Sequence, residues 1–247
     1  GGKALWTREL ERALAAGEID AAVHSMKDVE TIRPTMFVIA AMLERADVRD
    51  RLIGAGSIAS LPDGGVVGTS SPRRTAQLLR ARPDLKLILF RGNVATRLAK
   101  LDRGEAQATL LAAAGLDRLG MDDIGTPIPV DQWLPAPAQG AVGVEVRADD
   151  TAARAIVSAI NHDPTCRAVT VERALLYALG ADCRSPVAAL AEPGEGVMLR
   201  MRAEILAIDG SAAVSMEREV ADELAAQELG QALLDAAPDV VRRLFAG

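Results

Sequence analysis

Between residues 4 and 16 the chain reads ALWTRELERALAA, and Leu5, Trp6, Leu10, Ala13 and Leu14 fall on one side at helical spacing before Gly17. That spacing predicts a helix ended by the glycine. Two β-like apolar runs follow, IDAAVHS and, after Pro34, MFVIAAML. From 64 to 120 the pattern repeats three times: GGVVG leads into TSSPRRTAQLLRAR, LKLILF into RGNVATRLAKLDRG, and QATLLAAA into GLDRLG. Each unit is an apolar strand, a short turn holding Gly or Ser, and a helix. Such a run predicts a parallel sheet with right-handed crossovers, in which ligands sit beyond the carboxyl ends of the strands.

The character then changes. DQWLPAPAQGAVG at 131–143 reads as an extended crossing, after which AVGVEV resumes as a strand. DPTCRAVTVERALLYALG predicts a helix with Asp163 as N-cap and Pro164 in its first turn. VMLRMRAEILAI and SAAVSMEREV alternate as strands, joined by the hairpin-forming pair Asp209-Gly210. A helical stretch over about 222–246 is expected to break near Pro238. The expected fold class is therefore α/β, followed by a small antiparallel α+β domain at the C-terminal end.

With 247 residues of which 49% are apolar, a single core would be near its upper size, so two or three lobes with clefts between them are expected. The net charge of −6 argues against a sequence-independent nucleic-acid binder. Aromatic residues at 2% leave little for base stacking. No uninterrupted apolar run approaches the roughly 20 residues a bilayer crossing needs. These features lead to the expectation of a cytoplasmic protein without nucleic-acid or membrane partners, which is also expected to be a monomer. With two cysteines, two histidines and no CxxC, neither a disulfide framework nor a structural zinc site is expected.

The turns hold the candidate chemistry. In GTSSPRR, Ser71 is a good N-cap and Pro72 a good first helical residue, which puts Arg73 and Arg74 at a helix N-terminus. Cations are disfavoured there unless an anion is shared between them and the exposed N–H groups. In FRGNVATR, Arg91 ends a strand and Arg97 falls on the first helical turn, while GLDRLG adds Arg118 after a third strand. Guanidinium groups pair bidentately with carboxylates, so three arginine-bearing turns favour a ligand with several carboxylates or phosphates. In VHSMKD, Ser25, Lys27 and Asp28 lie just past a strand; Asp28 fits an ordinary turn aspartate as well as an ionised catalytic one. His24 fits a core or hydrogen-bonding histidine. Cys183, in GADCRSP, taken alone reads as a buried thiol.

Six stretches together are more specific: AAVHSMKDV, GTSSPRR, RGNVATRLAKLD, AAAGLDRLG, PAPAQGAVGVE and GADCRSP. In order and separation the chain resembles the hydroxymethylbilane synthases, also called porphobilinogen deaminases, over nearly its whole length. The resemblance implies two lobes like those of periplasmic binding proteins plus a small α+β domain. It assigns 1–45 with 142–160 to a first, N-terminally incomplete domain, 46–141 to a second with the arginine-rich cleft, and 161–247 to the C-terminal domain. It also implies stepwise condensation of four porphobilinogen molecules into linear hydroxymethylbilane with release of ammonia, primed by a dipyrromethane cofactor in thioether linkage to Cys183. By the same resemblance Asp28 is catalytic. Ser25, Lys27, Thr69, Ser71, Arg73, Arg74, Arg91 and Gln139 contact the cofactor, and Arg97, Arg118 and Lys3 contact substrate.

Three departures accompany the resemblance. The family's opening strand-helix segment, with its Arg-x-Ser-x-Leu-Ala stretch, is not in this sequence, so an incomplete first lobe is expected. Ala181 and Asp182 precede Cys183 where Gly-Gly is usual, and Asp182 is expected to disfavour the thiolate slightly. Val48 replaces a proline in ERADVRD, a hinge segment. The competing readings are a non-catalytic two-lobed carboxylate-binding protein and an inactive truncated form.

Overall fold

The computed structural model describes residues 2–245, with side chains described from residue 7 onward. The chain begins with α1 (Gly2–Ala15), β1 (Ala22–Ser25), a 3-10 turn (Met26–Asp28) and β2 (Phe37–Met42). It continues through β3 (Asp50–Ile53), β4 (Val66–Thr69), α2 (Pro72–Ala81), β5 (Lys86–Leu89), α3 (Val94–Asp102), β6 (Ala108–Ala112), α4 (Ala113–Asp117) and β7 (Thr126–Pro127). The remainder is β8 (Val142–Arg147), α5 (Thr151–Ser158), α6 (Asp163–Ala178), β9 (Val187–Pro193), β10 (Leu199–Leu206), β11 (Ala213–Val220), α7 (Glu223–Ala236) and α8 (Asp239–Arg242). No helix among the described residues is long and apolar enough to cross a membrane.

These strands form three separate sheets. In the first, β8 lies between β1 and β2 and is antiparallel to both, so a late strand returns to complete the sheet that the chain began. The second has the order β5-β4-β6-β3-β7. Its β4 runs parallel to β5 and β6, as the repeated strand-turn-helix pattern predicts, whereas β3 is antiparallel to β6 and β7. The third is the antiparallel meander β9-β10-β11, packed on α6 and α7 around Leu175, Leu179, Met201, Ile205, Leu229 and Leu233. Burial of each such side chain contributes about 1.5–3 kcal/mol, which makes this core the dominant stabiliser of the C-terminal part.

Some boundaries differ from the sequence reading. α4 occupies only AAGLD, starting two residues before the expected GLDRLG helix and ending before that stretch is complete. His162, not Asp163, is the N-cap of α6, and Asp163 with Pro164 forms its first turn. Pro238 caps α8 and so separates it from α7, as expected of a residue without a backbone donor.

Two chain crossings connect the first two sheets, and α6 ties both crossings to the third. Glu172 on α6 has no exposed surface. Its carboxylate accepts hydrogen bonds from Arg45 Nη1 and Nη2 at 2.7 and 2.9 Å, from the Ala138 N–H at 2.6 Å and from the Ala191 N–H at 2.8 Å. Arg45 belongs to the first crossing, Ala138 to the second, and Ala191 to β9. A second contact joins the third sheet to the second: a Cβ added to Gly210, at the β10–β11 hairpin tip, would lie 2.3 Å from the backbone N of Arg80 on α2.

Candidate active site

The site begins where β4 ends. Thr69 Oγ1 accepts the Ser71 N–H at 3.2 Å, and Ser71 Oγ caps α2 by accepting the Arg74 N–H at 3.4 Å. Proline at the first helical position follows from its fixed φ, so GTSSPRR forms the turn its composition predicts. The two arginines that this turn sets at the helix N-terminus do not point into open solvent; they are 3% and 6% exposed.

Their shared anion is a side chain of the protein. Asp50, at the start of β3 and wholly buried, accepts Arg73 Nη2 at 2.8 Å, Arg74 Nη2 at 2.7 Å and Arg74 Nε at 3.1 Å. Trp133 Nε1 at 2.9 Å and Gln139 Nε2 at 2.8 Å donate to the same carboxylate. Burial pushes the Asp50 carboxyl up, but the charges of Arg73 and Arg74 outweigh it and hold the group well below the ordinary carboxylate range. Burial, with repulsion from Arg74, lowers the proton affinity of Arg73, although a guanidinium keeps its charge in proteins. Arg73 Nη1 donates to Gln77 and to the Leu134 carbonyl, and Arg74 Nη1 to the Leu110 carbonyl. The electrostatic cost read at this turn is thus compensated internally. Asp50 carries no signal of its own in the sequence, because it opens a short strand, DRLI, whose charged start resembles a loop; the two helix-terminal arginines are the feature that calls for it.

Around this buried floor lie the remaining groups. Gln139 also accepts from Lys27 Nζ at 3.2 Å, which connects the second crossing to the 3-10 turn carrying Asp28. Lys27 and Asp28 are half-buried and Ser25 is exposed. Arg97 Nη2 donates to Ser70 Oγ at 3.1 Å and its Nε to the Gly92 carbonyl at 3.0 Å, joining the starts of α2 and α3. Burial and the nearby Arg74 lower the proton affinity of Arg97, and Asp28 opposes them, so Asp28 faces this arginine closely enough for its charge to be felt. Arg91 and Arg118 are exposed, Arg118 Nη2 donating to the Gly140 carbonyl at 3.2 Å. Of the strand-end arginines of the second sheet, Arg97 is the one whose electrostatics link it to Asp28. The side chain of Lys3 lies outside the described residues.

Cys183 is exposed, in contrast to the buried thiol that its sequence alone suggests, and neither it nor Cys166 is in a disulfide. Its turn is self-folded. Asp182 accepts the Arg184 N–H at 2.8 Å on one oxygen and Arg184 Nη2 at 2.6 Å on the other, while Ser185 Oγ accepts the Asp182 N–H at 3.1 Å. Burial raises Asp182, but the hydrogen bonds from Arg184 lower it below its usual range. The negative charge expected to disfavour a thiolate is thus paired with a guanidinium on the other side of the same cysteine. His24 is the core, hydrogen-bonding histidine expected of it: it is buried, with Nε2 3.1 Å from Glu145 Oε2 on β8.

Two family models match this chain, the porphobilinogen deaminase dipyromethane cofactor binding domain over residues 1–155 and the porphobilinogen deaminase C-terminal domain over residues 166–237. The chain belongs to the porphobilinogen deaminase family. It is 59% identical to the porphobilinogen deaminase of Sphingopyxis alaskensis over 251 aligned positions, covering 100% of this chain and 80% of that protein. It is 53% identical to the one from Paracoccus denitrificans, covering 88% of this chain and 70% of the relative. A periplasmic substrate-binding protein of Coxiella burnetii superposes on 60% of this chain and 74% of its own, with a TM-score of 0.40 and 18% identity. As a member of that family the protein is a transferase of tetrapyrrole biosynthesis whose cofactor is dipyrromethane. Asp28 and the arginine turns all fall within the matched cofactor-binding domain, and Cys183 falls within the C-terminal one.

Proposed function

We propose that this chain condenses four porphobilinogen molecules into linear hydroxymethylbilane, releasing ammonia at each step, from a dipyrromethane held as a thioether on Cys183. The observation that carries this reading is the exposed Cys183 on a pinned turn, tied by the Thr31 hydroxyl to the segment that follows Asp28. The three working units are 1–45 with 142–160, 46–141 and 161–247.

The residues present fit such a cofactor. Its pyrroles carry acetate and propionate groups; Arg91 offers a guanidinium group to the cofactor, and Arg97 and Arg118 offer theirs to the carboxylates of porphobilinogen, for bidentate pairing. Arg73 and Arg74, held by Asp50, form the buried base of the cofactor site, with Thr69 and Ser71 fixing their turn and Lys27 bonded to Gln139. When bound, the dipyrromethane supplies a nucleophilic α-carbon and the fixed end of the growing chain. Asp28 accepts hydrogen bonds from pyrrole N–H groups, stabilises the positive charge that develops on porphobilinogen as ammonia leaves, and moves the proton lost on coupling. Ser25, at the end of β1, starts the turn that aims Asp28, and Lys3 lies on α1.

Intact-mass measurement tests the assignment directly. The holoenzyme is expected to carry two pyrrole units on Cys183, absent in Cys183→Ser. Asp28→Asn is expected to retain the adduct and lose turnover by roughly 10²–10⁴-fold. An unmodified Cys183 in turning-over enzyme, or near-normal product formation by Asp28→Asn, would overturn it.

A further inference from the structure

The segment after Asp28 has no regular secondary structure, yet its backbone is gripped. Arg173, on α6 one position after Glu172, donates through Nη1 to the Val29 carbonyl at 3.3 Å and through Nη2 to those of Glu30 and Thr31 at 2.7 and 3.2 Å. Three consecutive carbonyls on one guanidinium fix the path of the chain leaving the aspartate. Burial and the neighbouring Arg33 lower the proton affinity of Arg173, with Glu145 opposing. Such a desolvated cation is a costly way to hold neutral carbonyls, and its planar fork gives in return a fixed geometry that a flexible ammonium would not.

The same segment reaches the cysteine turn. Thr31 Oγ1 donates to the Ala181 carbonyl at 2.7 Å across 150 positions of sequence, two residues before Cys183. Asp182, Arg184 and Ser185 brace that turn internally, so a contact at Ala181 is a contact with the whole turn. Arg184 raises its hold on its proton chiefly through Asp182 and further through Cys183 and Glu30, which sets the two segments in one electrostatic neighbourhood.

We propose that Arg173 and Thr31 are positioning residues for the transfer reaction, clamping the segment that carries Asp28 to the turn that carries Cys183. The inference rests on the assignment of Asp28 and Cys183 given above. It means that the carboxylate and the tether keep one separation through successive condensations.

The test uses the holoenzyme and three readouts: adduct mass, amide hydrogen exchange over 28–33 and 181–185, and the separate values of kcat and KM. Thr31→Val keeps the shape and removes the hydroxyl. It is expected to retain the adduct, speed exchange in both segments, and lower kcat by roughly tenfold to a hundredfold with KM little changed, as a small misplacement of reacting groups does. Thr31→Ser is expected to restore kcat and protection, and Arg173→Gln to act as Thr31→Val does. Faster exchange in Thr31→Val with kcat unchanged would overturn the clamp while leaving the cofactor assignment intact. An adduct missing from the parent enzyme defeats the assignment itself. If Arg173→Gln fails to fold, the Val and Ser variants of Thr31 decide the question.

Discussion

Asp50 and Glu172 are carboxylates without exposed surface, and each is satisfied by arginine together with further N–H donors. A buried ion pair is not in itself stabilising, because desolvation offsets the attraction, but removal of one partner leaves a charge without compensation. Asp50→Asn would leave Arg73 and Arg74 adjacent without their counter-charge. It is expected to lower stability by about 3–5 kcal/mol, measured as a fall in the urea midpoint; a variant as stable as the parent would mean that the arginines find another anion. Single residues were legible where backbone rules constrain them: Ser71 and Pro72 predicted the start of α2, and thereby the place of Arg73 and Arg74. Asp50 was not legible, because its role depends on β3 pairing with β6, a contact that local spacing does not encode. The exposure of Cys183 was likewise invisible, since it follows from how one turn is braced.

The elements legible in the sequence are those with clear apolar patterning: α1, β1 and β2, β4 to β6 with α2 and α3, β8, α6, the hairpin at Asp209-Gly210 and α7. Those missed are β3, whose first two positions are charged yet buried, the two-residue β7, α5, which has no buried residue, and β9. The hairpin shows how much a local signal leaves out. Its turn chemistry was read correctly, but nothing in Asp-Gly reveals that the tip rests on the backbone of α2. Gly210 has φ +73°, and an added Cβ would also lie 2.6 Å from the Leu79 carbonyl carbon. Gly196 has φ +59° with nothing within 4 Å of an added Cβ. Both alanine substitutions meet the left-handed backbone cost of about 1–2 kcal/mol. Gly210→Ala is expected to cost more because rigid backbone must move, and the gap between the two thermal midpoints measures the seating of the hairpin on α2. Equal shifts would show that the tip does not rest there.

Across the whole molecule the buried carboxylates set the response to acid. Burial raises Asp50 and Glu145, but Arg73 and Arg74 in the one case, and His24 and Arg33 in the other, outweigh it and leave both below their ordinary values. A carboxyl depressed in the folded state contributes stability that is fully present above its unfolded pKa of about 4 and is lost as pH falls through the folded value. The thermal midpoint is therefore expected to be insensitive to these groups above about pH 5 and to drop steeply below about pH 4. The drop should be shallower in Asp50→Asn; an acid limb identical to that of the parent would remove Asp50 from the account. The α/β class and the antiparallel C-terminal portion could be read from hydrophobic pattern alone. The way the three sheets are fastened together could not, because its fasteners are charges paired over distances that periodicity does not span.

The carboxylate at the junction of those sheets also has a consequence in time. Arg45 and Glu172 are separated by 127 positions. At about 5–20 residues per second on the ribosome, the arginine is made roughly 6 to 25 seconds before the glutamate that receives it. Through that interval the first two sheets can form, but the two crossings between them stay unfastened until α6 is made.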